Sequence, residues 1–298
     1  MEAHKSVGNG QKPTNVKSCL ISHANVHFVI KQCLVSNEIA CPFMMKRNLF
    51  VVLALAIQYS MAQPTQDISH RISLTASQAR GSMGVSVVWN SAEKRYYSAV
   101  SGGQEKLLLL YDEQGKLNHT PYHLEFDPGA LWFESGGTAL GSSASGIEGL
   151  YKIHLRSGLP AFTENVYYAI HNPVCIGTGA WVSRKKEVWF YHDKTVYRFK
   201  IGRAKRVIPI ALDIADFDNE LNVMSMIYTG IKKREIGLYD YGQNRILLFN
   251  AKTGRCSYTL NIKQDGHENL RPLCGDFSYA NGIYWLFDRE TGIWHGYN

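Results

Sequence analysis

Apolar and polar residues change places over short distances along most of this chain. The last seventeen residues show the pattern most plainly: GIYWLFDRETGIWHGYN, Gly282 to Asn298, sets two apolar, aromatic-rich runs around Asp288-Arg289-Glu290-Thr291. Two such runs separated by a polar tetrad predict a β-hairpin. The same order recurs in EVWFYHDKTVYRFK (Glu187 to Lys200) and EIGLYDYGQNRILLFN (Glu235 to Asn250). No stretch of about 12 residues carries a helical period bounded by caps, so the pattern predicts an all-β protein.

The hairpins belong to a longer repeat. Gly115, Gly158, Gly202, Gly254 and Gly292 follow one another at intervals of 43, 44, 52 and 38 residues. Four units of four strands can be written, from Gly84 to Thr120, Ala130 to Val166, Ile176 to Ile210 and Val223 to Ile262. In the first of these, Lys116 to Thr120 is the expected fourth strand. The fifth unit, Asp276 to Tyr297, has only three. Ile68 to Ala76 (ISHRISLTA), ahead of the first unit, alternates apolar and polar residues and can supply the missing outer strand. Pairing the two ends of the chain in this way would close a ring and remove an open sheet edge.

Over residues 68 to 298 this pattern resembles a β-propeller, whose blades are four-stranded antiparallel sheets around a central channel. The resemblance implies about five blades, or six if Glu164 to Glu220 holds a further hairpin, closed by the N-terminal strand. It is a resemblance to the superfold: no WD dipeptide repeats, and the double glycines Gly102-Gly103 and Gly136-Gly137, similar to those of kelch blades, are confined to the first two units. A β-sandwich is the other architecture that many short strands allow, and the period of about 40 residues argues against it.

Residues 1 to 43 lack this periodicity. After them, Met44-Met45-Lys46-Arg47-Asn48 is basic, Leu49 to Ile57 is apolar, and Ser60-Met61-Ala62 offers small residues for cleavage. That order predicts a secretory signal peptide over 44 to 62 and a secreted or periplasmic product. The apolar run is about half of the ~20 residues a transmembrane helix needs. Met44 or Met45 is then the expected start, with 1 to 43 an upstream extension and 63 to 298 one propeller domain.

Charge reads differently after that division. The whole chain carries a formal +7, with 32 Lys and Arg against 25 Asp and Glu. Six of the basic and two of the acidic residues precede Gln63, which leaves a net charge of +3. A value that small gives no reason to expect nucleic acid as a partner. Three cysteines remain, Cys175, Cys256 and Cys274, with no C-x-x-C pair to suggest zinc.

In a propeller the connections from each outer strand to the next inner strand emerge on one face. Here they read PYHLEFDPG, ENVYYAIHNPVC, ALDIADFDNELN and KQDGHENLRPLC, which gather acidic and aromatic residues. The ligand-binding candidates from them are Tyr122, Asp127, His171, Asp213, Asp265, His267 and Glu268. Asp216, Asp218 and Glu220 place oxygen ligands at alternating positions, as a hard cation such as Ca²⁺ prefers, although the run lacks an EF-hand's glycine and spacing. The opposite connections carry Lys94-Arg95, Arg184-Lys185-Lys186 and Lys232-Lys233-Arg234, and would suit an anionic surface.

Trp132, Trp181, Trp189, Trp285 and Trp294 fit packing between blades, with a sugar-stacking platform as the sharper reading. No G-x-S-x-G elbow is present. The expectation is a non-enzymatic propeller that requires no cofactor and binds a protein or carbohydrate-like ligand on its acidic, aromatic face. The alternative is a hydrolase of glycosidase or metal-dependent lactonase type. It would need carboxylates on several inner strands, where mainly Glu134 and Asp276 are found.

Overall fold

The computed structural model describes residues 63–102, 106–134, 138–143, 149–167, 178–200, 206–214, 225–263 and 276–298. Two strands precede the repeat, β1 (Thr65–Ile68) and β2 (His70–Thr75). The first sheet contains β3 (Met83–Asn90), β4 (Arg95–Ser101), β5 (Leu107–Tyr111) and β6 (Tyr122–His123), and the second β7 (Pro128–Glu134), β8 (Thr138–Ser143), β9 (Leu150–Arg156) and β10 (Leu159–Tyr167). The third runs through β11 (Ala180–Val182), β12 (Glu187–His192), β13 (Thr195–Lys200) and β14 (Arg206–Ala211). The next has β15 (Met226–Tyr228), β16 (Ile236–Asp240), β17 (Arg245–Phe249) and β18 (Cys256–Ile262), with β1 added outside β18 as a fifth, parallel strand. The last is β19 (Phe277–Ala280), β20 (Ile283–Asp288), β21 (Ile293–Tyr297) and β2.

The inner strands β3, β7, β11, β15 and β19 each lie beside the next, and β19 lies beside β3, so the sheets form a closed propeller ring. The closure is the one the alternating N-terminal segment predicts: β2 pairs antiparallel with β21, Leu74 opposite Trp294. The segment differs in one respect from a single strand over 68–76. It divides at Ser69, whose backbone exchanges hydrogen bonds with Asn298, and the preceding β1 covers the neighbouring sheet. One short segment therefore ties two adjacent blades at their outer edges.

Each blade buries both faces. Val87 and Leu109 pack into a core cluster shared by the first and last sheets, while Val88 and Leu110 pack into the cluster shared by the first and second. Alternation then sends apolar residues to two different cores, which is why Leu107 to Leu110 (LLLL) can be a continuous apolar run inside a strand. Trp189, Trp285 and Trp294 are fully buried in these inter-blade cores, as their pattern predicts.

Two of the periodic glycines show what the repeat is for. Gly115 and Gly254 sit between the third and fourth strands of their blades with φ of 83° and 70°, in the left-handed region. Both turn against the outer strand of the preceding blade, where a Cβ would overlap the carbonyl oxygen of Ser73 or Ala211. The fourth strand of the first blade departs from expectation. It is Tyr122–His123, paired with Leu107 and Leu108, whereas Lys116 to Thr120 forms a connection with one bridge, Leu117 to Tyr111. The acceptor-rich turn at Asp112, which takes hydrogen bonds from the backbone of Gln114 and Lys116, bends the chain there instead.

Burial also sets a pH limit. Desolvation pushes the phenols of Tyr111, Tyr239 and Tyr284 well above the ordinary tyrosine value. For Tyr284 the neighbouring Tyr279 phenol adds to the effect of desolvation. The folded state holds these protons more tightly than the unfolded chain, whose tyrosines ionise near pH ~10. Their contribution is complete below pH ~10 and is lost as pH rises toward the folded values. Stability measured by denaturant titration should be level from neutrality to pH ~10, then fall by about 1.4 kcal/mol per phenol for each further pH unit. A level profile to pH ~11.5 would show that the phenols are not held in this way.

Candidate functional site

The inner strands present the same short pattern to the axis five times. Ser86-Val87-Val88-Trp89, Gly129-Ala130-Leu131-Trp132, Thr178-Gly179-Ala180-Trp181, Ser225-Met226-Ile227-Tyr228 and Asp276-Phe277-Ser278-Tyr279 each run from a small or polar residue to an aromatic one. Residues of all five segments line a central channel of about 300 Å³.

Polar residues within the pattern clasp one inner strand to its neighbour. Ser86 Oγ accepts from the backbone N–H of Leu131 at 3.1 Å, and Ser225 Oγ accepts from that of Thr178 at 3.3 Å. Ser278 Oγ accepts from Val87 N–H at 2.9 Å and donates to the Val87 carbonyl at 3.0 Å. Asp276, with no exposed surface, accepts from Gly84 N–H at 2.9 Å and from Arg289 Nε at 2.6 Å. Inner-strand edges in a propeller lack continuous strand pairing with one another, and these side chains satisfy backbone groups that would otherwise be orphaned.

The other end is an aromatic collar of Trp89, Trp132, Trp181, Tyr228 and Tyr279. Trp132 and Trp181 stack with ring centroids 5.6 Å apart and planes 19° from parallel. Trp89 lies 4.5 Å from Tyr96, which meets Trp285 edge-on, so its plane is held from behind by the inter-blade core. Desolvation raises the Tyr228 and Tyr279 phenols above their ordinary value, at which a phenol is already neutral at physiological pH. Among the described residues, the channel lining contains no Asp, Glu, His, Lys, Arg or Cys.

The seven ligand-binding candidates and three metal candidates of the loops are distributed differently from the collar. Tyr122, expected on a connection, belongs to outer strand β6 and packs against the core shared by the first two blades. Asp127 accepts a hydrogen bond from Ser101 Oγ just before β7. Asp213 is exposed after β14, and its backbone N–H donates to the Gly254 carbonyl of the next blade at 2.8 Å. His171, Asp265, His267 and Glu268 lie outside the described residues, as do Asp216, Asp218 and Glu220. Among the described residues no group of three or more His, Cys, Asp or Glu side chains is arranged to hold a metal ion. No helix among them is long and apolar enough to cross a membrane.

Of the two carboxylates on inner strands, Asp276 is committed to its clasp, and Glu134 is absent from the residues lining the channel. The collar residues Trp89, Tyr228 and Tyr279 are the functional candidates that loop-based reasoning passes over. Their signal is the aromatic three residues after Ser86, Ser225 and Asp276.

No protein-family profile matches the sequence, and no curated protein matches it. Similarity appears among solved structures. A glutaminyl cyclase from Myxococcus xanthus aligns over 80% of this chain and 98% of its own, with a TM-score of 0.55 at 6% identity. A protein of unknown function from Bacteroides thetaiotaomicron covers 79% of this chain and 74% of its own (TM-score 0.48, 11% identity), and regucalcin, a calcium-binding protein from Agrobacterium tumefaciens, covers 79% and 95% (TM-score 0.46, 9% identity). At these identities the likeness is one of fold, and the fold is a β-propeller.

Proposed function

We propose that this chain is a secreted or periplasmic β-propeller that binds a carbohydrate-like ligand in its central channel. The observation that carries the reading is the collar of Trp89, Trp132, Trp181, Tyr228 and Tyr279 at one end of a channel of about 300 Å³. Flat, rigid aromatic faces backed by a packed core suit the apolar faces of sugar rings, and their immobilisation costs little further entropy on binding. The volume is at the lower end of the range for small-molecule pockets, which suits one sugar unit with the remainder of a chain outside.

Binding accounts for this lining better than catalysis does. Acid–base hydrolysis needs two positioned carboxylates or an equivalent pair, whereas the described lining offers indoles, phenols, hydroxyls and an amide. The reading moves the ligand from the acidic connections to the collar, and it makes no use of a metal ion. His171, Asp265, His267 and Glu268, outside the described residues, are candidates for further contacts.

The test is a titration of the full chain against a panel of oligosaccharides, followed by Trp181→Ala with the sugar that binds. Trp181 is only partly buried, so its removal should leave folding intact while weakening binding about tenfold or more. Unchanged affinity in a folded Trp181→Ala protein would remove the collar as the binding site.

A further inference from the structure

We infer that the sugar taken by the channel is an acidic one, whose carboxylate or sulfate oxygens are received by the wall formed by β7 and β11. This rests on the collar being a sugar site and assigns the ligand's chemical class. Two independent observations support it.

The first is a set of buried polar atoms without partners among the described residues: Trp132 Nε1, Trp181 Nε1 and Thr178 Oγ1. All three side chains line the channel, and all belong to adjacent inner strands or the residues leading into one. Trp132 and Thr178 are 3% and 5% exposed. Buried polar groups are nearly always satisfied, so three unpartnered ones on side chains of one channel wall point to a ligand that brings acceptors to them, with the small side-chain shift that their lack of exposed surface requires. An indole N–H can only donate, so what meets it must accept. Trp294 Nε1, Ser98 Oγ and Arg95 Nη1 are also without partners among the described residues, but none of these three side chains lines the channel.

The second is the charge around the collar. The aromatic residues lie at or near the ends of the inner strands, and the turns that follow carry exposed cations three to five residues further on: Lys94 after Trp89, Arg184, Lys185 and Lys186 after Trp181, and Lys232 and Lys233 after Tyr228. Two of the acids near these turns are engaged: Glu187 is buried against Arg198, and Glu235 accepts the Ala251 N–H. Glu93, beside Lys94, is exposed, and Glu134, two residues after Trp132, is partly exposed; together they offset two of the six cations. An aromatic cage could equally hold a cation. A cationic ligand would have to pass this basic rim, whereas an anionic one is drawn toward it, over a range that salt shortens.

The experiment compares methyl β-D-glucuronide with methyl β-D-glucoside, titrated into the full chain by calorimetry at two salt concentrations. The expected result is that the glucuronide binds roughly tenfold tighter or more at low salt, with the margin shrinking as salt rises. Trp132→Phe keeps a ring and removes one donor, and should lower affinity for the glucuronide severalfold with little change for the glucoside. The surface double variant Lys232→Gln/Lys233→Gln should reduce the salt dependence without affecting folding. Equal, salt-independent binding of both glycosides would overturn the acidic-sugar assignment and leave the collar reading in place. Binding of neither would overturn both.

Discussion

A chain lacking residues 63–76 should fail to unfold cooperatively and should aggregate. Those residues hold β1 and β2, which cover the outer strands of two adjacent sheets. Without β2, strand β21 presents an open row of backbone donors and acceptors over Ile293–Tyr297, which is a template for pairing with other chains. The truncation also strips the apolar cover supplied by Leu74, which has no exposed surface and packs against the core that includes Trp285, Phe287 and Trp294. Leu74→Ala isolates that packing contribution with the strand still in place, and should cost about 2–5 kcal/mol. A domain stability of roughly 5–15 kcal/mol makes the loss of a whole strand decisive. A truncated protein that stays monomeric in size-exclusion chromatography with an unchanged melt would show that the ring closes by some other means.

Asp276→Ala should lower the melting temperature by roughly 6–20 °C. The carboxylate is fully buried and receives both the Arg289 guanidinium and the Gly84 backbone N–H, joining the last inner strand to the first. Removing the carboxylate leaves the Gly84 amide buried without an acceptor and the partly exposed Arg289 guanidinium without its counter-charge, at a cost of about 3–5 kcal/mol. For a domain of this size each kcal/mol corresponds to about 2–4 °C. Arg289→Ala leaves the fully buried Asp276 carboxylate with no positive partner and should cost at least as much, whereas Asp276→Ala leaves a guanidinium that is partly exposed, so the two variants divide the clasp into its halves. A melt of Asp276→Ala within about 2 °C of the parent would show that the ring does not depend on this clasp. Such a result would also reopen Asp276 as a group available for chemistry.

Much of the architecture is legible in the sequence because strand pairing leaves a local mark. Apolar runs such as Ile283 to Phe287, the polar tetrads between them and the periodic glycines each depend on residues close together in the chain. The incomplete final unit and the alternating segment ahead of the first one made the closure readable as well. Boundaries were less so. Tyr122–His123 is strand because Leu107 and Leu108 are its partners, and nothing within Lys116 to His123 itself favours that pair over Lys116 to Thr120.

The site was less legible than the fold. Sorting connections by face drew attention to Tyr122 and Asp213, yet the twist of each blade places β6 and the end of β14 on the periphery, where Tyr122 packs into a core and Asp213 bridges to the next blade. A tryptophan in a strand reads the same whether its ring ends up between blades, as Trp285 does, or in the channel as well, as Trp132 and Trp181 do.

Local pattern by itself determined that the chain forms short strands in a repeat of about 40 residues and that its two ends can complete one sheet. It did so because hydrogen-bonded hairpins and alternating burial are written in neighbouring residues. Only the tertiary structure decided that five aromatic residues from separate blades form one collar, that Ser86, Ser225, Ser278 and Asp276 act as clasps, and that Trp132, Trp181 and Thr178 carry polar atoms without partners among the described residues. Those relations join residues tens to nearly two hundred positions apart, and they come into being when the ring closes.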